Sequence, residues 1–116
     1  MRLLRLLGPA AVIVIAGCHS AYIDATISNH TGKPVSLVEL DYPSASFGTQ
    51  TIAPGGDFHY RFKVLGSGNL KLIYTDTANL EHDVPGPRLG EGDEGPIVIT
   101  VNSSGVDWAP HLLVHH

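Results

Sequence analysis

Apolar and polar residues alternate one by one through most of this chain, and turns rich in glycine and proline interrupt the alternation at short intervals. The clearest stretch is 58–64, where three aromatic residues and a valine alternate with His59, Arg61 and Lys63. A period of two is typical of a β-strand with one buried face, and no segment after residue 18 keeps the 3.6-residue period of a helix. The pattern therefore predicts an all-β domain.

The alternation predicts about seven short strands, at residues 22–28, 35–42, 47–52, 58–64, 70–75, 80–84 and 96–102. Pro43 and Pro85 are expected to end strands, because proline donates no hydrogen bond to a neighbouring strand. Val98 lies opposite Ile97 and Ile99, which indicates a central strand covered on both faces. Trp108 is expected to cap the end of the core.

Short strands with frequent turns favour an antiparallel β-sandwich or a small barrel. The layout resembles the immunoglobulin-like and transthyretin-like sandwiches of exported proteins, although the Cys…Trp…Cys signature of antibody domains is absent. We therefore expect an immunoglobulin-like antiparallel β-sandwich that follows an N-terminal signal helix.

Residues 1–17 have the three-part layout of a secretory signal. Arg2 and Arg5 supply positive charge at the start, an apolar run follows at 6–16, and Gly17 and Cys18 come directly after it. The apolar run is about half the roughly 20 residues that a membrane-spanning helix needs. We expect this segment to direct export and to be removed.

The residues Ile15, Ala16, Gly17 and Cys18 resemble the lipobox of bacterial lipoproteins. The resemblance implies cleavage between Gly17 and Cys18, a diacylglycerol on the Cys18 sulfur, and usually an acyl chain on the new amine. Membrane lipid is then the first partner, because two or three acyl chains bind a bilayer far more firmly than one. His19 rather than Asp follows the cysteine, which favours the outer membrane in a bacterium with two membranes. The alternative is an ordinary export signal in which Cys18 is incidental.

The expected organisation is a signal peptide at 1–17, a lipidated spacer at 18–21, a sandwich at 22–109 and a C-terminal tail at 110–116. Loss of Arg2 and Arg5 with the signal changes the net charge from −4 to −6. An acidic domain does not attract the phosphates of nucleic acids, and anionic lipid headgroups repel it. The single cysteine excludes a disulfide within the chain.

Two segments are weak candidates for binding metal, although no cofactor is expected. Glu91, Asp93 and Glu94 lie in a glycine-rich loop at 90–95, and clustered carboxylates suit Ca²⁺. The chain has seven histidines, of which His111 and His115 are four residues apart, a spacing that suits Zn²⁺ or Cu²⁺ on a helix. The alternative in both cases is a set of solvated surface groups.

The segment 42–48 joins two strands and holds Tyr42 and Phe47, which are weak candidates for contacts with a partner. The alternative is that both rings close the core. No Gly-x-Ser-x-Gly motif is present, which disfavours a hydrolase. We therefore expect a membrane-anchored, non-enzymatic envelope lipoprotein that binds or helps assemble an envelope protein or polysaccharide. A metal-binding envelope protein is the first alternative, and a small hydrolase is the second.

Overall fold

The computed structural model describes residues 21–113, which form eight β-strands and contain no helix. The expectation of an all-β domain is confirmed. The signal segment 1–17, Cys18, His19 and His115 lie outside the described residues. The strands are β1 (Ile23–Asn29), β2 (Val35–Tyr42), β3 (Ala45–Ile52), β4 (Asp57–Phe62), β5 (Gly68–Thr75), β6 (Glu81–Leu89), β7 (Gly95–Asn102) and β8 (Gly105–Pro110).

The strands form two four-stranded sheets, with the orders β4-β1-β7-β8 and β3-β2-β5-β6. Five of the six neighbouring pairs are antiparallel, but β1 and β7 run parallel, with Ile23 opposite Gly95 and Asn29 opposite Val101. The wholly antiparallel arrangement expected from the sequence is therefore corrected at this one pair. Alternation within a strand shows which face is buried, but it carries no information about which distant strand lies alongside.

The core lies between the sheets, and the alternating residues of the central strands supply most of it. Burial of each large aliphatic side chain stabilises the fold by about 1.5–3 kcal/mol. The buried apolar side chains are Ile23, Ala25, Ile27, Val35, Val38, Leu40, Phe47, Ile52, Phe62, Val64, Leu70, Leu72, Tyr74, Leu89, Ile97, Ile99 and Val101. Every strand predicted between residues 22 and 102 contributes to the sandwich.

Two strands differ from the sequence prediction. β8 was not expected, because its six residues include few apolar side chains in alternation and end in Pro110. β6 continues past Pro85 to Leu89, whereas the sequence suggested that Pro85 ends it. β6 is an edge strand, where the missing N–H of a proline can face away from the sheet.

Two expected core faces are only partly buried. β7 is central in its sheet, but Val98 is 37% exposed, so the outer face of this strand is not covered. Along 58–64, Phe62 and Val64 are buried whereas Tyr60 is 44% exposed, because β4 lies at the edge of its sheet. Chain position alone does not distinguish an edge strand from a central one.

A β-bulge in β2 places Leu37 and Val38 together opposite a single residue of β5, since Ser36 pairs with Thr75 and Glu39 with Ile73. Leu37 adopts a φ of 49°, which is uncommon for a residue with a side chain, and it points outward. Gly48 on β3 makes room for this backbone, because a Cβ there would overlap the Val38 carbonyl oxygen.

Trp108 closes the open side of the sandwich between β6 and β8. Its ring lies over Gly86, where a Cβ would come within 2.6 Å of ring carbon Cη2. The ring also packs against the buried core. Trp108 therefore covers the side of the core between the two sheets, rather than one of its ends as the sequence suggested.

Candidate functional site

The connections between strands gather at two ends of the sandwich. We call the far end the one that carries the β1–β2, β3–β4, β5–β6 and β7–β8 connections. The near end carries the start of β1, the β2–β3, β4–β5 and β6–β7 connections, and residues 111–113. Binding residues are often held on such connections by a rigid frame.

The far end contains a cleft of about 290 Å³ between three connections, and we call it the far-end cleft. Its walls come from both sheets, because the β1–β2 and β7–β8 connections face the β5–β6 connection across it. Its lining residues are Thr31, Lys33, Pro34, Val35, Tyr74, Asp76, Thr77, Ala78, His82, Asn102 and Ser103.

Asn29 fixes the β1–β2 wall of the cleft from beneath. Its side chain is fully buried, and its amide donates hydrogen bonds to the carbonyl oxygens of Lys33 at 2.7 Å and Ile52 at 2.9 Å. Its Oδ1 atom accepts the Thr31 backbone N–H at 3.0 Å and lies 2.7 Å from the Thr31 hydroxyl. A buried amide with satisfied donors and acceptors holds one loop conformation, because any other leaves polar groups unpaired.

The opposite wall is built on Asp76, His82 and Tyr74. Asp76 Oδ2 lies 2.7 Å from His82 Nε2, and Asp76 Oδ1 accepts the N–H groups of Ala78 and Leu80 at 2.9 and 3.1 Å. The His82 ring stacks on Tyr74, with centroids 4.6 Å apart and planes 10° from parallel. The β5–β6 pairing produces this stack, because Tyr74 and His82 are cross-strand partners.

These contacts influence the protonation of two groups. The hydrogen bond from His82, reinforced by the N–H groups of Leu80 and Ala78, lowers the pKa of Asp76 below its usual 3.8. Burial, with a smaller contribution from the Asp76 charge, raises the pKa of Tyr74. The cleft therefore presents a carboxylate that stays ionised and a phenol that stays neutral, beside the hydroxyl, amide and ammonium groups of Thr31, Asn102 and Lys33.

Two carboxylates of the acidic loop at 90–95, those of Glu91 and Asp93, accept hydrogen bonds from backbone groups. Glu91 Oε1 accepts the Gly66 N–H at 2.9 Å, and Asp93 Oδ2, on a buried residue, accepts the Gly90 N–H at 2.8 Å. Glu94 pairs through its backbone with Leu113. Over residues 21–113, no three histidine, cysteine or acidic side chains lie close enough to hold one metal ion. His111 donates its backbone N–H to Pro96 at the end of β8, and His115 lies outside the described residues.

Tyr42 and Phe47 belong to an aromatic cluster where edge strands β3 and β4 approach each other. The ring centroids of Tyr42 and Phe62 are 4.1 Å apart, as are those of Phe47 and Tyr60. Phe47 is buried, and Tyr42 is half-buried against the core. The cluster closes this side of the sandwich, which was the alternative considered for these two residues.

Sequence reasoning missed the residues of the far-end cleft. One signal was available, because the 70–75 and 80–84 strands lie close enough in sequence to form a hairpin, and a hairpin register places Tyr74 near His82. The sequence Asp76-Thr77-Ala78 also suits a turn in which the aspartate side chain accepts a backbone N–H two residues on. No local signal joins these residues to Thr31 and Asn102.

No protein-family model matches this chain, and no curated protein is similar to it. A solved structure, described as the NMR structure of the protein from Eubacterium rectale, is similar with a TM-score of 0.55. The two sequences are 11% identical, and the match covers 79% of this chain and 88% of that chain. This similarity shows the fold alone. Within the described part of the chain, no helix is long and apolar enough to cross a membrane.

Proposed function

We propose that this chain is an exported, lipid-anchored protein of the bacterial cell envelope, and that its sandwich is a non-enzymatic binding module. The observation that carries the proposal is the run Ile15-Ala16-Gly17-Cys18 directly after a basic start and a short apolar segment. Acylated Cys18 is the anchor. His19 at the next position favours the outer membrane where the host has two membranes.

The position of the anchor gives the domain a direction. Cys18 precedes β1 by five residues, so the near end is the end beside the membrane. β1 has seven residues and rises about 3.3 Å per residue, which places the far end about 20 Å further out. The far-end cleft then faces away from the bilayer, where a partner in the envelope can reach it.

The chemistry of the cleft supports recognition of a saccharide segment of an envelope polysaccharide. Hydroxyl, amide and carboxylate groups of Thr31, Asn102 and Asp76 suit sugar hydroxyls, and the stacked His82 ring adds a flat surface. A cleft of about 290 Å³ is at the small end of the range for ligand pockets. A binding role is favoured over hydrolysis because cleavage of a glycosidic bond needs a pair of carboxylates, whereas Asp76 is the one acidic residue among the described residues that line the cleft.

The strand order also bears on the family of the fold. In an immunoglobulin constant-type domain, the first strand lies at the edge of a four-stranded sheet that faces three strands. Here β1 is central and both sheets have four strands. We therefore propose that the sandwich is transthyretin-like rather than immunoglobulin-like.

Anchoring is tested by expressing the full chain in a bacterial host and analysing the mature protein by mass spectrometry. We expect an N-terminal residue 18 that carries a diacylglycerol, and partition of the protein into the detergent phase. Cys18→Ser should move it to the aqueous phase. An intact N-terminal signal, or an unmodified thiol at Cys18, contradicts the proposal.

Binding is tested by titrating the labelled mature protein with fragments of envelope polysaccharides and following backbone NMR shifts. We expect saturable shifts at Lys33, Asp76 and His82, and at least tenfold weaker binding by His82→Ala. His59→Ala is the matched control, because His59 is a histidine on the outer face of β4 that contacts Thr26. Shifts confined to other surfaces, or no saturation at millimolar concentrations, contradict the role of the cleft.

A further inference from the structure

We propose that the near end of the sandwich is a second membrane contact, which seats on the headgroup region of a bilayer through Leu65, Leu113 and Tyr22. This inference rests on the proposed lipid anchor at Cys18, but it concerns a different part of the molecule. The proposed partner is the headgroup region of a bilayer of zwitterionic lipid.

The distance between anchor and fold restricts what can cover this end. Five residue steps separate Cys18 from Ile23, and a fully extended chain spans at most about 3.6 Å per residue, or about 18 Å here. A protein domain of ordinary size cannot fit between an anchored Cys18 and the start of β1. The bilayer is thus the surface that the near end meets.

Two strongly exposed leucines lie at this end. Leu65 is 62% exposed on the β4–β5 connection, and Leu113 is 64% exposed after β8. Both flank the acidic loop, because Gly66 donates its N–H to Glu91 and Leu113 exchanges backbone hydrogen bonds with Glu94. The two apolar side chains are therefore held on one side of the molecule by the same connection.

An aromatic ring with two cations completes this surface. Arg61 Cζ lies 4.4 Å from the centroid of the Tyr22 ring, and Lys63 Nζ lies 5.8 Å from it. Tyrosine is enriched at membrane–water interfaces, and long cationic side chains reach lipid phosphates while their stems stay on apolar surface.

The charges of the near end favour contact with zwitterionic rather than anionic lipid. This end carries Arg61, Lys63 and Arg88 together with the acidic residues Asp24, Glu91, Asp93 and Glu94, and Arg61 Nε lies 3.6 Å from Asp24 Oδ1. The near end thus has no excess of positive charge to attract an anionic surface. Contact then depends on the leucines and the tyrosine, and it should weaken as anionic lipid is added.

The far end supplies a matched control. Leu37 is 61% exposed and Leu80 is 60% exposed, so they are as exposed as the near-end pair. Both lie towards the opposite end of the sandwich, since Ser36 pairs with Thr75 and Asp76 bonds Leu80. Replacing either pair with serine removes the same amount of apolar surface at different distances from the anchor.

The experiment uses acylated mature protein in vesicles of zwitterionic phosphatidylcholine that contain a lipid spin-labelled near its headgroup. Since the chain has one cysteine, an introduced cysteine is the only free thiol once Cys18 is acylated. A fluorophore on Ser44→Cys, an exposed near-end position, reports membrane contact, and one on Ser104→Cys reports the far end.

We expect the label at position 44 to be quenched at least threefold more strongly than the label at position 104. Leu65→Ser with Leu113→Ser should reduce the quenching at position 44 at least twofold, whereas Leu37→Ser with Leu80→Ser should leave it unchanged. Equal effects of the near-end and far-end serine variants, or equal quenching at positions 44 and 104, would overturn the proposed membrane contact even when mass spectrometry finds lipid on Cys18. Absence of that lipid would instead overturn the proposed anchor, and the seating with it.

Discussion

Gly86→Ala provides a sharp test of how the two sheets are held together at the β6–β8 side. A methyl group at this position would lie 2.6–2.7 Å from three carbon atoms of the Trp108 ring. An ordinary contact between carbon atoms is about 3.5–4.0 Å, so the ring would have to move by about 1 Å. Trp108 cannot move inward because it packs against the core. Overpacking of this kind costs about 1–3 kcal/mol.

The assay is urea and thermal unfolding of the mature chain carrying Cys18→Ser. For a domain of this size, a loss of about 2 kcal/mol lowers Tm by roughly 8–16 °C. A double-mutant cycle isolates the cause, because Trp108→Leu removes the ring that the methyl group meets. In the Trp108→Leu background, Gly86→Ala should cost less than about 0.5 kcal/mol. If Gly86→Ala costs the same in both backgrounds, the ring contact is not the reason for the glycine.

Two further predictions concern the walls of the far-end cleft. Asn29→Ala should lower the free energy of unfolding by about 2–3 kcal/mol in urea titrations, because it removes hydrogen bonds to the carbonyls of Lys33 and Ile52 in a buried site. Asn102 makes an exposed hydrogen bond to Asp107, so Asn102→Ala should change the free energy of unfolding by less than about 0.5 kcal/mol. Similar losses for the two variants would show that Asn29 does not hold the wall of the cleft in place. Because the folded-state pKa of Asp76 is lowered, the unfolded chain takes up its proton first as the pH falls. The stability that wild type has over Asp76→Asn should therefore be present above about pH 5 and decrease as the pH falls further, and a pH-independent difference would contradict this assignment.

Alternation predicted most of the strands because each central strand has one face in the core. β2 was predicted with the bounds observed, 35–42, and Leu40 and Leu72 face inward as their spacing indicates. β8 could not be predicted in this way, because Val106 and Trp108 are only partly buried and the strand lies at a sheet edge. The parallel pairing of β1 with β7 is set by the packing of the whole chain rather than by either strand.

The far-end cleft was beyond sequence reasoning for a similar reason. Thr31 and Asp76 lie on two connections and Asn102 ends β7, so the three residues are distant in sequence, and only the stacking of two sheets brings them together. The acidic loop is a candidate metal site in the sequence because Glu91, Asp93 and Glu94 are close together along the chain. In the folded protein, Glu91 and Asp93 accept backbone N–H groups, so much of their role is to hold the near-end connections.

The parallel neighbours β1 and β7 also determine when this protein can fold. β1 is the first strand to be synthesised, but it lies between β4 and β7, and Ile23 finds its partner at Gly95 only after most of the chain exists. Topologies dominated by such distant pairings fold in milliseconds to seconds, because the entropy of closing long loops is lost before the pairing forms. For a chain exported as we propose, this delay keeps the polypeptide unfolded while it passes through the membrane. The sandwich then assembles only after the last strands have crossed the membrane.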